Sequence, residues 1–439
     1  MRRSAWLALA AVLAATGLVA SAANPNPQLY LHLSTDRADA SYAVGEPVTW
    51  TIKVTGVKTN EPPIAPPFSV VSGKTELTNG TLNFVDGTAK VTGKLDHPGV
   101  LEIKVKQSTP WRTGFSCGAA VGWPEIKSTV PEPADFDAFW KQKLAELAAV
   151  PVNPVLEEVA DSGAPDVQLW KISMDNIRGA KIHGYLARPK GTNPLPAQLQ
   201  VQYWGLYPLK KSEVVGIAKK GWLAMDIMAH DVPCDGDDAF YKEAGGTGKY
   251  NVTDGADDPD KSYFLRMFLS CSRAVDYLAG RADWNKAALL VQGGSQGGFQ
   301  GLAVAALNPK VTALTVFVPG GCDLTGFLEG RPNGWPGWVG SRTTGAEREA
   351  RIKTAGYYDA KNFAGRIKCP VLVGTGLLDT TASPITQFTM FNNLAAPKRL
   401  VLMPEDEHTS PHTAYKAVQS DWCKAAAAGG PLPMKENNK

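Results

Sequence analysis

Ala287-Ala288-Leu289-Leu290-Val291-Gln292-Gly293-Gly294-Ser295-Gln296-Gly297-Gly298, continuing as Phe299-Gln300-Gly301-Leu302-Ala303-Val304-Ala305-Ala306-Leu307, is the stretch on which the reading of this chain turns. The apolar run up to Val291 predicts a buried strand and the run from Phe299 a helix, with Gly293-x-Ser295-x-Gly297 in the turn between them. A strand-to-helix turn that sharp strains the serine and exposes its Oγ, and side chains at the flanking positions would strike the neighbouring strand and helix. The helix start then offers free N–H groups and a positive dipole end where an oxyanion can be stabilised. Gly and Ser are common, so the pattern takes its weight from this context. A glycine-rich phosphate loop would carry a Lys beside the Ser, or G-x-G-x-x-G near the start of an α/β region, and neither is present.

A serine in such a turn needs a base and an acid, which follow it in the order Ser, Asp or Glu, His, each after a strand. Only His408 and His412 come after Ser295. His408 closely follows the apolar run Leu400 to Met403 and the Pro404 turn, where the base belongs, whereas His412 falls near the start of the last helix. Asp379 follows Val371-Leu372-Val373-Gly374-Thr375-Gly376-Leu377-Leu378, a buried strand running into a loop; Asp323 and Asp359 compete less well, and an Asp in such a loop can also be a helix cap. In this assignment Ser295 attacks an acyl carbon, His408 takes and returns the proton, and Asp379 fixes the imidazole. The backbone N–H of Gln296 is expected to be one oxyanion donor, and the loop after the run ending at Tyr203, around Trp204-Gly205-Leu206, the source of the other.

Outward from this stretch, apolar runs (Leu199 to Tyr203, Trp222 to Ile227, Ala313 to Val318) alternate with helical stretches (Phe136 to Leu147, Ser262 to Leu278). That alternation predicts a mostly parallel sheet covered on both faces, an α/β-hydrolase fold over 131–427 with a tail at 428–439. Ahead of it the period is two. Val48, Trp50, Ile52 and Val54 alternate with polar residues, as do Leu101, Ile103 and Val105, and turns punctuate the runs at Gly45-Glu46-Pro47, Pro62-Pro63 and Asp86-Gly87. A small all-β, immunoglobulin-like sandwich is therefore expected over 24–107, serving as a spacer or packing module or binding carbohydrate, with a linker at 108–130.

Arg2 and Arg3, the apolar run Trp6 to Val19, and small residues through Ala23 have the layout of a secretory signal peptide over 1–23. The run is shorter than the ~20 apolar residues of a spanning helix. The expected protein is therefore soluble and exported, periplasmic or secreted. Losing Arg2 and Arg3 takes the formal net charge from +3 to +1, which leaves no electrostatic case for nucleic acid or an anionic membrane. The six cysteines allow 15 pairings, and none forms C-x-x-C. The acidic, Gly-rich region from Asp231 to Asp260 has no calcium-loop spacing and is expected to be a solvated lid. No metal and no cofactor are expected.

The region from about Val130 to Ala425 resembles the acetylxylan esterase and cephalosporin C deacetylase family of α/β-hydrolases, carbohydrate esterase family seven. The likeness rests on Pro133-Ala134-Asp135-Phe136-Asp137-Ala138-Phe139-Trp140, Tyr263-Phe264-Leu265-Arg266, Arg273-Ala274-Val275-Asp276, the elbow Gly293-Gly294-Ser295-Gln296-Gly297-Gly298, Gly376-Leu377-Leu378-Asp379, and Ala396-Pro397-Lys398-Arg399 up to His408. The resemblance implies the triad Ser295, Asp379 and His408, an acetylated carbohydrate as partner, and, since members are often hexamers, a homo-oligomer. Where the family has His-Gly-Tyr this chain has Trp204-Gly205-Leu206, whose Leu206 amide can still donate, and His230-Asp231-Val232-Pro233 replaces an Arg-Gly-Gln stretch. Trp204, Trp335 and Trp338 are candidate faces for sugar rings; for Trp335 and Trp338 the alternative is loop packing. Competing readings are a feruloyl-type esterase, a peptidase related to the prolyl oligopeptidases, and a non-catalytic carbohydrate-binding protein. The β-region is too small for a propeller, and a binding module has no need of all three triad residues.

Overall fold

The computed structural model describes residues 30–55, 65–106 and 115–434. The signal segment and the Pro62-Pro63 turn lie outside the described residues. The first module contains β1 (Tyr30–Thr35), β2 (Ser41–Tyr42), β3 (Val48–Thr55), β4 (Pro67–Ser72), β5 (Thr75–Thr81), β6 (Thr88–Gly93), β7 (Gly99–Val105) and β8 (Phe115–Val121). They form a three-stranded sheet β1-β3-β6 and a five-stranded sheet β2-β8-β7-β4-β5. The two-residue alternation sends Val48, Trp50 and Ile52 of one sheet and Leu101, Ile103 and Val105 of the other into a shared core. Asp86 and Gly87, both at positive φ, make the turn into β6.

The linker expected over 108–130 needs correction, because it contains β8, paired along its length with β7. Phe115-Ser116-Cys117-Gly118-Ala119-Ala120-Val121 reads as a connector because its residues are small. They are small because the strand is buried on both faces: Cys117, Ala119 and Val121 point into the sandwich core, while Ala120 packs into the core of the second module.

That second module holds a nine-stranded sheet. After the helix α1 (Phe136–Ala148) come β9 (Val155–Glu158), β10 (Val167–Asp175), β11 (Lys181–Pro189), β12 (Leu195–Val201), α2 (Lys211–Ala218), β13 (Leu223–Ile227), α3 (Asp238–Gly246), α4 (Tyr263–Gly280), β14 (Trp284–Gly294) and α5 (Gln296–Leu307). The chain continues as β15 (Ala313–Phe317), α6 (Gly345–Tyr358), α7 (Ala360–Ala364), β16 (Val371–Gly376), α8 (Pro384–Asn393), β17 (Lys398–Met403) and α9 (Thr413–Ala427). The order is β17-β16-β15-β14-β12-β13-β11-β10-β9. From β13 to β17 the pairs are parallel, and β11, β10 and β9 close the other edge antiparallel. Helices α1 and α4 to α8 bury their apolar sides in one large core, while α2 and α9 cover the opposite face. Buried Arg273 of α4 donates to the carbonyls of Leu147 and Val150 at 2.7 and 2.9 Å, satisfying the C-terminal end of α1. All six cysteines are free thiols, five of them buried.

Candidate active site

The Gly293-to-Gly297 turn joins β14 to α5, and its glycines have identifiable neighbours. A Cβ on Gly293 would strike the carbonyl of Gly297, one on Gly294 the ring of Phe317, and one on Gly297 would lie 2.5 Å from the carbonyl oxygen of Val201 at the end of β12. Between them Ser295 sits at φ 54°, ψ −123°, a conformation that costs on the order of 1–3 kcal/mol for a non-glycine residue. Its surroundings impose it: Ser295 N–H donates to Phe317 at 3.0 Å, and its carbonyl accepts from Gly320 and Phe299 at 3.0 and 3.1 Å.

From the C-terminal ends of β16 and β17 come the other two groups. Ser295 Oγ is 2.8 Å from His408 Nε2, and His408 Nδ1 is 2.8 Å from Asp379 Oδ2. The side chain of Asp379 is fully buried, and its Oδ1 accepts from the N–H groups of Thr381 and Ala382, each at 2.8 Å. With that carboxylate on Nδ1, the imidazole carries its proton there and leaves Nε2 to accept from the serine hydroxyl. The rival residues are engaged elsewhere. His412 is buried with Nδ1 facing Asp406 Oδ2 at 3.0 Å and Nε2 facing the His408 carbonyl at 3.2 Å, so it braces the loop that carries His408. Asp359 caps α7 and accepts from the N–H groups of Asp323 and Leu324, while Asp323 pairs with Arg331 at 2.7 Å.

The first three N–H groups of α5, beginning with Gln296, have no carbonyl within the helix to bond, and Ser295 is the N-cap residue of that helix. Gln300 of the same helix donates to the Gln202 carbonyl at 2.9 Å, which ties α5 to the end of β12. The Gln202 side chain bridges Ala229 N–H and the Tyr207 carbonyl, both at 3.0 Å, and so fixes the loop that carries Trp204, Gly205 at φ 121° and Leu206.

Among the three tryptophans the structure separates roles. Trp338 is 2% exposed, donates its N–H to Val252, and packs between Phe264 and Tyr358. This corrects the expectation of a sugar-facing Trp338: the loop folds back into an aromatic core and leaves no face for a ring. Trp335 is half-buried over Gly320, the neighbour that bonds the Ser295 carbonyl, and Trp204 is 53% exposed. The acidic stretch expected as a lid contains α3, and its carboxylates are used locally. Asp237 caps α3, Asp231 pairs with Arg266, Asp235 with Lys171, and Asp258 with Lys261.

Sequence reasoning treated His230 only as a departure from the family pattern. The structure buries it against Tyr263, whose hydroxyl meets Nε2 at 2.6 Å, and burial lowers its pKa to about 4 although Asp231 opposes the shift. A histidine closing the largely apolar run Trp222 to Ala229 was the available signal.

A parallel sheet with a strained serine at a strand-to-helix turn, facing a histidine and a buried aspartate, defines an α/β-hydrolase. The profile of the acetyl xylan esterase family (AXE1) matches residues 124–425. The chain belongs to that family and is a carboxylic ester hydrolase. It is 34% identical over 361 residues to the acetyl esterase Axe7A of Xylanibacter ruminicola, covering 80% of this chain and 79% of that protein. Two solved structures share the fold: an acetyl xylan esterase from Paenibacillus sp. R4 and acetyl xylan esterase 1 from Thermoanaerobacterium sp. JW/SL YS485. Each is 24% identical with a TM-score of 0.57, over 68% of this chain and 96% of the other.

Proposed function

We propose that the chain is a serine esterase that removes O-acetyl groups from acetylated xylan or xylo-oligosaccharides through an acyl-enzyme on Ser295. The observation that carries this reading is the continuous Ser295–His408–Asp379 relay, with both contacts at 2.8 Å, within the family-matched region. Ser295 Oγ attacks the acetyl carbonyl carbon as its proton passes to His408 Nε2. The oxyanion that forms is stabilised by the backbone N–H groups of Gln296 and Leu206. Collapse expels the sugar oxygen, which takes the proton from His408. Water, deprotonated by the same imidazole, then releases acetate and regenerates the serine. Asp379, held by two backbone donors, keeps the imidazole in the required tautomer.

Trp204, exposed beside the Leu206 amide, offers a sugar ring an apolar face, and Trp335 forms a nearby wall. The chain is taken to act outside the cytoplasm after loss of residues 1–23. Acetate release from acetylated xylo-oligosaccharides, compared with feruloyl and longer-acyl esters, tests the assignment, with Ser295→Ala as control. Rapid, Ser295-dependent release confined to acetyl esters is expected. Faster turnover of bulky acyl esters would overturn the substrate, and activity that survives in Ser295→Ala would overturn the mechanism.

A further inference from the structure

Strand β8 of the sandwich lies against the two loops that carry Asp379 and His408. Its outer edge is only partly covered by its own module, because β2 is two residues long. Along that edge alternate N–H groups find different partners: Gly122 bonds Tyr42 and Ala120 bonds Ala40, each at 2.8 Å, while Gly118 bonds the carbonyl of Pro404 at 2.7 Å. Pro404 begins the loop that leads from β17 to His408. On the face of β8 that carries Ala120, a Cβ at Gly118 would lie 2.6 Å from Cβ of Leu377, two residues before Asp379. The missing side chain of Gly118 is thus the room in which the loop carrying Asp379 sits.

The two loops are also stitched to each other. Leu377 N–H donates to Met403 at 3.0 Å and Leu378 N–H to Asp406 at 3.1 Å. A second anchor follows β8 in the chain. Trp123 packs on Phe388 and Phe391 of α8, at 5.8 and 5.7 Å between ring centroids, and Asn392 donates to the carbonyls of Trp123 and Ile126. Helix α8 begins where the Asp379 loop ends. The backbone of the nucleophile, in contrast, is held within the second module, by Phe317 at the end of β15, Gly320 just beyond it and Phe299 of α5. The two acetyl xylan esterase structures align over 68% of this chain and 96% of their own length, so about a third of this chain lies outside those alignments.

We propose that the N-terminal sandwich is a support for the catalytic loops, with Gly118 as a positioning residue that sets where Asp379 and His408 stand relative to Ser295. This rests on the triad proposed above. A displacement of about 1 Å in a reacting group can cost on the order of a hundredfold in rate, so a small push at Leu377 is read in turnover long before it is read in binding.

The full-length chain carries the test, with p-nitrophenyl acetate as the probe. Gly118→Ala should lower kcat at least tenfold with KM within twofold and little change in Tm. Gly93→Ala is the control, since Gly93 faces Val70, Leu101 and Trp50 inside the sandwich, away from both loops. It should lower Tm and leave kcat unchanged. Because Gly118→Ala could fold poorly, a cycle with Leu377→Gly reads the contact itself. Adding Gly118→Ala to Leu377→Gly should leave kcat unchanged or raise it, since the obstructing Cβ is gone. Equal losses of kcat from Gly118→Ala and Gly93→Ala, additivity in the cycle, or unchanged kcat in Gly118→Ala would each overturn the proposal. Failure of the triad itself reads differently, as Ser295→Ala retaining turnover.

Discussion

Asp379→Asn is the substitution whose outcome the geometry fixes most tightly. An amide is isosteric with the carboxylate, so its orientation decides the effect. Asp379 Oδ1 accepts two backbone N–H groups at 2.8 Å, and Oδ2 faces His408 Nδ1 at 2.8 Å. The Asn oxygen must take the first position, because an NH2 there would face two donors. Its NH2 then faces His408 Nδ1, which has to become an acceptor. The imidazole proton moves to Nε2, which now points an N–H at Ser295 Oγ and can no longer accept the serine proton. Loss of the correct tautomer in a triad costs about 10⁴-fold in kcat, about 5.4 kcal/mol of barrier. Tm should stay close to wild type, since shape and both backbone bonds persist. Asp379→Ala should lose a comparable rate and also stability, because the N–H of buried Ala382 then has no acceptor, at a cost of roughly 1–3 kcal/mol. Steady-state turnover of p-nitrophenyl acetate, with thermal melts on the same preparations, separates the two variants. An Asp379→Asn enzyme within tenfold of wild-type kcat would refute the argument, because no tautomer switch could then have occurred.

Three further outcomes follow from the same contacts. Gly297→Ala places a Cβ 2.5 Å from the Val201 carbonyl, with backbone on both sides; a loss of about 3 kcal/mol in urea unfolding and a fall in kcat are expected, and wild-type behaviour would contradict the packing of α5 on β12. Trp338→Ala should cost roughly 3–5 kcal/mol of stability as a truncated core aromatic while leaving KM for xylo-oligosaccharides unchanged, and a raised KM would restore Trp338 as a sugar contact. Burial holds the His230 pKa at about 4, so between pH 6.5 and 4 the unfolded chain binds a proton that the folded chain refuses. Stability should fall over that window by roughly 3 kcal/mol more in wild type than in His230→Gln, as measured by urea midpoints, and equal slopes would remove His230 from the account.

What the sequence made legible was what neighbouring residues build. The elbow is contiguous, with strand, glycines, serine and helix, and Gly293 and Gly297 have their reason in backbone within reach of them, Gly294 in the ring of Phe317. The runs ending near Gly376 and Met403 were readable as strands because parallel strands buried on both faces carry unbroken apolar residues. Strands β9, β10 and β11 were not anticipated: β9 is exposed throughout, β10 alternates buried with half-buried positions, and β11, though largely buried, is broken by Lys181, His183, Gly184 and Arg188, so none carries a long apolar run. Strand β8 was hidden for a different reason. Its Cys-Gly-Ala-Ala sequence has the composition of a linker, and only a second module pressed against it makes small residues a packing requirement. For Trp338 the sequence left a sugar face and loop packing both open, because a Gly- and Pro-rich loop normally lies on the surface; this one turns inward over Phe264.

These two kinds of legibility coincide with two ways of holding a reactive group. Ser295 is fixed by backbone bonds to Phe317, Gly320 and Phe299, all within about two dozen residues of it, so its geometry is a property of β14, α5 and the neighbouring end of β15. Asp379 and His408 sit on loops tied to each other and, through Leu377 and Pro404, to a strand more than 250 residues earlier. Gly293 and Gly297 are constrained by backbone that cannot yield, whereas the Asp379–His408 pair depends on how closely a separate module approaches. Loosening that approach leaves the serine and the first donors of α5 where they are and moves only the relay. Substrate should therefore still bind and polarise, and the loss should fall on proton transfer. A perturbation of the sandwich that raised KM while sparing kcat would contradict that division.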